Sequence, residues 1–155
     1  MRMSSQGLDN LIKSFDKLEG STNDIMHKAV YQAAGIIADE VKSGLRSLPV
    51  DDGKGDKIDG ATSTEKEDLI ASMGIAPHRE DNGSVTTSIG FSGKSSIKTK
   101  RFPAGVPNAV LMRSIESGTS IRKKHPVIRP ALARVRKRAV EAAKKEAINE
   151  IQKEI

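Results

Sequence analysis

The sequence predicts an α+β fold in a single domain spanning residues 1–155. Long N-terminal and C-terminal helices pack with a small antiparallel β-sheet, and two long flexible loops fall near residues 50–64 and 92–107. Three observations carry this reading. Apolar residues step by threes and fours through residues 6–48, helix formers fill nearly all of 130–155, and Val85, Thr87 and Ile89 alternate between those two regions.

The first region reads as two helices. Leu8, Leu11, Ile12, Phe15 and Leu18 share one helical face, Gly20 stops that helix, and Ser21 caps the next with Asp24 three residues on. Met26, Val30, Ala33, Ile37, Val41, Leu45 and Leu48 continue the stripe to Pro49, with Ala29, Ala33, Ala34 and Ala38 allowing close approach of another helix. "VDDGKGDKIDGATST" is a Gly- and Asp-rich loop, followed by a short helix over "TEKEDLIASM". "GSVTTSIGF" suits a strand, with "MGIAPHRE" as its hairpin partner. The second loop, "SGKSSIKTKRFPAGVP", is basic and unpatterned. "NAVLMRSIE" forms a short helix ended by Gly118, and Pro130 opens the last helix at its first position.

Composition narrows the function classes. Hydrophobic content is 36% and aromatics only 3%, so the core is built from Ala, Ile, Leu, Val and Met, and a partner is expected to complete some apolar surface. With no cysteine there is neither a disulfide framework nor a thiolate metal site. No run of about 18 apolar residues exists to span a membrane, and "MRMSSQGLDNLIKSF" does not read as a secretory signal; a soluble protein made in a cytoplasm is expected. The net charge of +6 is unevenly spread: residues 51–81 hold nine acids and four bases, whereas residues 122–155 hold eleven bases and four acids. Separate blocks of that kind attract other copies of the chain or polyanions.

Familiar chemical motifs fail on spacing. "SGKSS" follows a strand as a phosphate loop would, but Ser88 stands where the first glycine is needed and no helix follows. "DDGKGDKIDG" has a calcium loop's acid density, yet counting from Asp51 or Asp52 puts Asp56 or Lys57 at the required glycine. His27, His78 and His125 are far apart in sequence, and no pair has the i, i+4 spacing of a helical metal site. No nucleophile–base pair is legible. The reading is a non-enzyme with no catalytic, cofactor-binding or metal site and no cofactor.

Two basic features remain. On the last helix Arg134, Arg136, Lys137 and Arg138, with Lys144 and Lys145, form either a solvated face or a phosphate-contacting one, while Leu132, Val135, Ala139, Ala142, Ile148 and Ile151 pack inward. Lys98, Lys100 and Arg101 add charge on the second loop. So few aromatics argue against a base-stacking platform, so any nucleic-acid contact is to the backbone and without sequence choice. The second feature is "SIESGTSIRKKHPVIRPAL". Gly118 and Thr119 end one helix, Pro126 and Pro130 direct the next, and Arg122, Lys123, Lys124 and Arg129 are expected to be exposed between them. A stiff charged corner of that kind fits against another protein, or is simply a helix–helix turn.

That segment resembles the C-terminal hallmark of the Hong Kong 97-type gene product ten family of tailed-phage neck proteins, which act in head–tail joining or tail completion. The family reads "EfGT", a short spacer, "PFlrPAl" and a terminal helix. This chain offers Glu116, Gly118 and Thr119, then Pro126, Ile128, Arg129, Pro130, Ala131 and Leu132. The opening "GLDNLIKSFDKL" and the Ala-rich helix to residue 48 resemble the family's start, and Leu69, Ser72 and Ile75 match its middle element loosely. Ser117 and Val127 depart from the pattern, each standing where the family has an aromatic, and both loops are longer than it needs.

The resemblance implies a structural virion protein: a ring-forming subunit at the neck that helps join the tail to a DNA-filled head and lines the DNA passage. Its implied partners are itself, in a ring of about six or twelve copies, the head-completion or adaptor proteins, the tail terminator or tail tube protein, and passing DNA through weak nonspecific contacts, with no membrane. The implied location is the virion neck or tail, with host cytoplasm during assembly. Glu116, Gly118, Thr119, Arg122, Lys123, Lys124, Pro126, Arg129 and Pro130 are then interface candidates. Lys98, Lys100, Arg101, Arg134, Arg136, Lys137 and Arg138 are DNA-facing or solvated. The competing reading is a small, basic, sequence-nonspecific nucleic-acid-binding protein.

Overall fold

The structure is a computed structural model that describes residues 5–53 and 55–154. It is α+β. Its elements are α1 (Ser5–Arg46), α2 (Ser63–Ser72), β1 (Met73–Ile75), β2 (Arg79–Asp81), β3 (Ser84–Thr86), β4 (Ile89–Phe91), α3 (Asn108–Ser117) and α4 (Ile128–Glu154).

The expected break at Gly20 does not occur. A single helix runs from Ser5 to Arg46, 42 residues and roughly 63 Å long. Ser21 is no cap. Its hydroxyl donates back to the Lys17 carbonyl at 2.9 Å, a bond that a mid-helix serine makes. One glycine with no neighbour crowding it costs a helix only about 1 kcal/mol, which adjoining turns absorb.

α1 and α4 pack antiparallel, as three ion pairs show in order: Glu40 with Arg134, Lys28 with Glu150, and Lys17 with Glu154. The packing uses small residues, Ala29, Ala34 and Ala38 on α1 against Ala131, Val135 and Ala139 on α4. At the Arg46 end of this pair lies the main core: Val41, Leu45, Leu48, Ala61, Leu69, Met73, Leu111, Met112, Ile115 and Val127. Removing one of the fully buried large side chains, such as Leu45 or Leu69, costs about 2–5 kcal/mol on truncation to alanine. The inward face of α4 is narrower than its sequence suggests. Leu132 is 41% and Ile148 54% exposed, because the helix meets one partner along its length and leaves the opposite ridge in water.

The β region is one long hairpin interrupted once. β1 pairs with β4 through Met73–Phe91 and Ile75–Ile89, and β2 with β3 through Arg79–Thr86 and Asp81–Ser84. Between the two ladders residues 76–78 face only residues 87–88, so one strand carries an extra residue. Pro77 sits there, where its missing N–H costs no ladder bond. Asn82 and Gly83, both with positive φ, make the tight turn. The expected alternation holds: Val85, Thr87, Ile89 and Phe91 are half-buried, and the residues between them are exposed.

Both long connections are laced to the body. Val50 bridges Ala61, and Ile58 bridges Arg122. In the second loop, Ser95 N donates to Val106 O at 2.7 Å and Val106 N to Ile97 O at 2.9 Å. Asp68 on α2 accepts from Ser95 Oγ at 2.9 Å and from Ser96 N and Oγ at 3.0 and 2.9 Å.

Candidate functional site

The glutamate of "ESGT" turns out to be a helix cap. Glu116, near the end of α3, accepts from three backbone N–H groups at the start of α4: Val127 at 2.6 Å, Ile128 at 2.9 Å and Arg129 at 3.0 Å. A helix N-terminus leaves its first N–H groups without partners and carries partial positive charge, so a carboxylate satisfies both needs. Burial works to raise the Glu116 carboxyl, but the three N–H bonds and the nearby Arg129 charge outweigh it and hold the group below its ordinary range. The helix accordingly begins at Ile128, with Pro130 at its third position rather than its first.

Gly118 closes α3 with φ +74°, and its N–H donates to Ser114 O at 2.9 Å. A side chain there would sit 3.2 Å from Lys124 Cα, so both the backbone angle and the space call for glycine. Thr119 and Arg122 then pair across a tight turn.

Arg122 corrects an expectation. It is not an exposed corner residue but a buried one, 5% accessible. Its guanidinium donates to Gly60 O at 2.6 Å and to Glu65 Oε1 at 2.8 Å. Glu65 in turn accepts from Thr62 N at 3.0 Å while its own N–H donates to Thr62 Oγ1, a capping box that starts α2. One arginine thereby ties α2, the first loop and the connector before α4 together. The connector also donates from Lys123 N to Ile58 O at 2.9 Å, and His125 meets Asp59.

Four of the nine candidates at the corner, Glu116, Gly118, Thr119 and Arg122, therefore hold the fold internally. Lys123, Lys124, Pro126 and Arg129 remain exposed, and Pro130 is half-buried. Beside them lies a groove of about 460 Å³ lined by Glu40, Ser43, Gly44, Ser47, Pro126, Val127, Pro130 and Arg134. A Cβ on Gly44 would come within 2.8 Å of Val127 Cγ1, so that glycine lets the start of α4 close onto α1.

The basic candidates separate as well. Arg134 pairs with Glu40 at 2.7 Å, whereas Arg136, Lys137 and Arg138 are exposed with no carboxylate partner among the described residues. Lys98, Lys100 and Arg101 are exposed on the second loop, where Arg101 lies 5.5 Å from the centre of the Phe102 ring. The loop's hydrogen bonds run to α2 and to Asn108 at the start of α3. Among the described residues none joins it to α4.

Two histidines that are distant in sequence meet in space. His27 on α1 stacks on His78 at 4.8 Å, Tyr31 meets His78 edge-on, and Glu80 Oε1 lies 2.6 Å from His27 Nε2. The hairpin's extra residue carries His78 to α1, which no linear spacing reveals. Among the described residues no group of three His, Cys, Asp or Glu side chains could hold a metal ion.

No protein-family model, curated protein or solved structure matches this chain. No helix among the described residues is long and apolar enough to cross a membrane.

Proposed function

We propose that this chain is a structural subunit of a tailed-phage neck, assembling with copies of itself at the head–tail junction and acting by contact rather than catalysis. One observation carries the reading. Two of the residues behind the resemblance act together in space: Glu116 caps the helix that begins at Ile128, and Gly118 supplies the turn between them. The glutamate and the glycine thus serve one physical device, and that device is what supports the reading.

In this reading Lys123, Lys124, Pro126 and Arg129, together with the groove beside them, are the corner's contact surface toward adaptor or tail-terminator proteins. Arg138 on α4 and the exposed cations Lys98, Lys100 and Arg101 of the second loop are available to DNA in the passage. Deleting the gene from its phage and imaging the lysate by electron microscopy tests the proposal. Separate DNA-filled heads and tails are expected, and intact infectious particles would overturn it.

The second reading, a free-standing nonspecific nucleic-acid binder, is favoured by the exposure of Arg136, Lys137 and Arg138 side by side on α4. It requires the isolated chain to bind duplex DNA with affinity that falls steeply as salt rises from about 50 to about 200 mM.

A further inference from the structure

The two long helices end out of step. Lys17 pairs with Glu154, 3.4 Å apart, in the last turn of α4, so residues 5–16 of α1 run on past it. Those twelve residues make an arm of roughly 18 Å. A helix end of that length gains little from propensity alone in water, and packing of an apolar face is what stabilises it. Among the described side chains from Asp9 to Asp24 none is buried, and Ile12 is 49% exposed. The sequence marks two rows at i, i+4 spacing along the arm. Leu8, Ile12 and Asp16 make one, two apolar positions and then an acid, and Leu11 and Phe15 make the other.

The outer ridge of α4 is made for such a row. Leu132, Arg136, Val140, Lys144 and Ile148 stand four residues apart, apolar and basic in turn. Val140 is 47% exposed, Leu132 41% and Ile148 54%. A shallow groove of about 460 Å³ runs there between Ala133, Arg136, Lys137, Val140, Glu141 and Lys144. From Leu132 to Ile148 the ridge spans roughly 24 Å, long enough for the whole arm. Within one chain the arm cannot reach it, because the antiparallel pairing carries the arm away from Val140 and beyond the end of α4.

We propose that the N-terminal arm of α1 docks on the outer ridge of α4 in a second copy. The inference rests on the reading of the chain as a self-assembling subunit and names the contact through which it assembles. Ridge packs against ridge, apolar positions meet apolar positions, and Asp16 meets Arg136, Lys137 or Lys144. Arm and ridge are different surfaces of the same chain, so each copy offers one of each. The contact is head-to-tail and closes into a ring when the rotation per copy allows.

Because the chain has no cysteine, the contact can be read by disulfide trapping. Full-length Ile12→Cys and Val140→Cys chains are mixed and oxidised, with Glu67→Cys, exposed on α2, replacing either partner as the control. Thermal unfolding matching the parent first establishes that each variant is folded. A covalent dimer should form in the Ile12→Cys and Val140→Cys mixture at least several-fold more than in either variant alone or in the control mixtures. Self-linking of Ile12→Cys that equals the mixture overturns the contact in favour of a symmetric one. Absence of the mixed dimer while sedimentation still finds oligomers overturns this contact and leaves the subunit reading standing. Absence of both dimer and oligomers at the highest soluble concentration also overturns it, and the gene-deletion phenotype decides the subunit reading separately.

Discussion

The acid-rich segment from Asp51 to Asp81 and the basic helix α4 put their charges to opposite uses. Six of the nine carboxylates in the first are engaged by the chain itself. Asp51 accepts from Gly53 N and Asp59 N, Asp52 from Ser63, Glu65 from Arg122, and Asp68 from Ser95 and Ser96, while Asp59 meets His125 and Glu80 meets His27. Of the eight Lys and Arg residues of α4 only Arg134 and Lys153 have a carboxylate within 4.0 Å among the described residues. The acids therefore specify local structure, and most of the helix's cations are left for something outside. Complementary blocks in the sequence suggest acid-block-to-basic-block pairing between copies. The structure removes much of the acidic half of that idea, because those carboxylates already have internal partners.

The comparison predicts that breaking an internally engaged carboxylate damages the fold, whereas reversing the outward cations of α4 damages only association. The largest effect belongs to Arg122→Ala, which leaves Glu65 buried without its cation. It should cost about 3–5 kcal/mol in urea unfolding. Next comes Glu116→Ala, which removes the cap of α4 and should cost about 1–2 kcal/mol.

Glu116→Gln sharpens this second case through pH. The folded Glu116 carboxyl lies below its unfolded value, so the unfolded chain binds more protons as pH falls through that interval. Its stabilisation is present above the unfolded value of about 4.3 and is lost as pH falls through the depressed folded value. A titration of unfolding midpoint against pH should have a shallower acid limb in the Gln variant.

A smaller effect is expected from Asp68→Ala. Its carboxyl is also held low, with burial pushing it up and the Ser96 N–H and the Ser95 and Ser96 hydroxyls prevailing. Losing these bonds should cost about 1–2 kcal/mol. Faster amide exchange at Ser96 and Val106 would locate the loss in the second loop. Smallest of all, Arg136→Glu, Lys137→Glu and Arg138→Glu together should change stability by only about 0.5 kcal/mol, because all three side chains are exposed and pair with no carboxylate among the described residues.

How much of this could be read in the sequence follows the reach of each interaction. Periodicity marks α1, the run of helix formers marks α4, and the alternation of Val85, Thr87 and Ile89 marks the hairpin, because those patterns extend over neighbouring residues. Gly20 misled for a related reason: a local breaker is weak against many turns of continuous helix. The motif around Glu116 was visible as letters, but its role depends on a carboxylate reaching eleven residues ahead to Val127 N. The sequence presents Arg122 as an exposed cation because its partner, Glu65, lies 57 residues away. The stack of His27 on His78 was hidden for the same reason. The exposed ridge of α4 is hidden from the sequence on other grounds. An apolar spacing shows that a helix has a face, but not that only one side of it finds a partner.

The most direct test combines the deletion with the charge-reversed helix. A phage lacking the gene is supplied in trans with either the parent chain or the Arg136→Glu, Lys137→Glu, Arg138→Glu variant, and the particles are counted by electron microscopy. The parent should restore joined particles. The variant, folded as stably as the parent, should leave separate heads and tails. Joined particles from the variant at the parent's frequency would contradict the claim that the outward cations of α4 serve assembly.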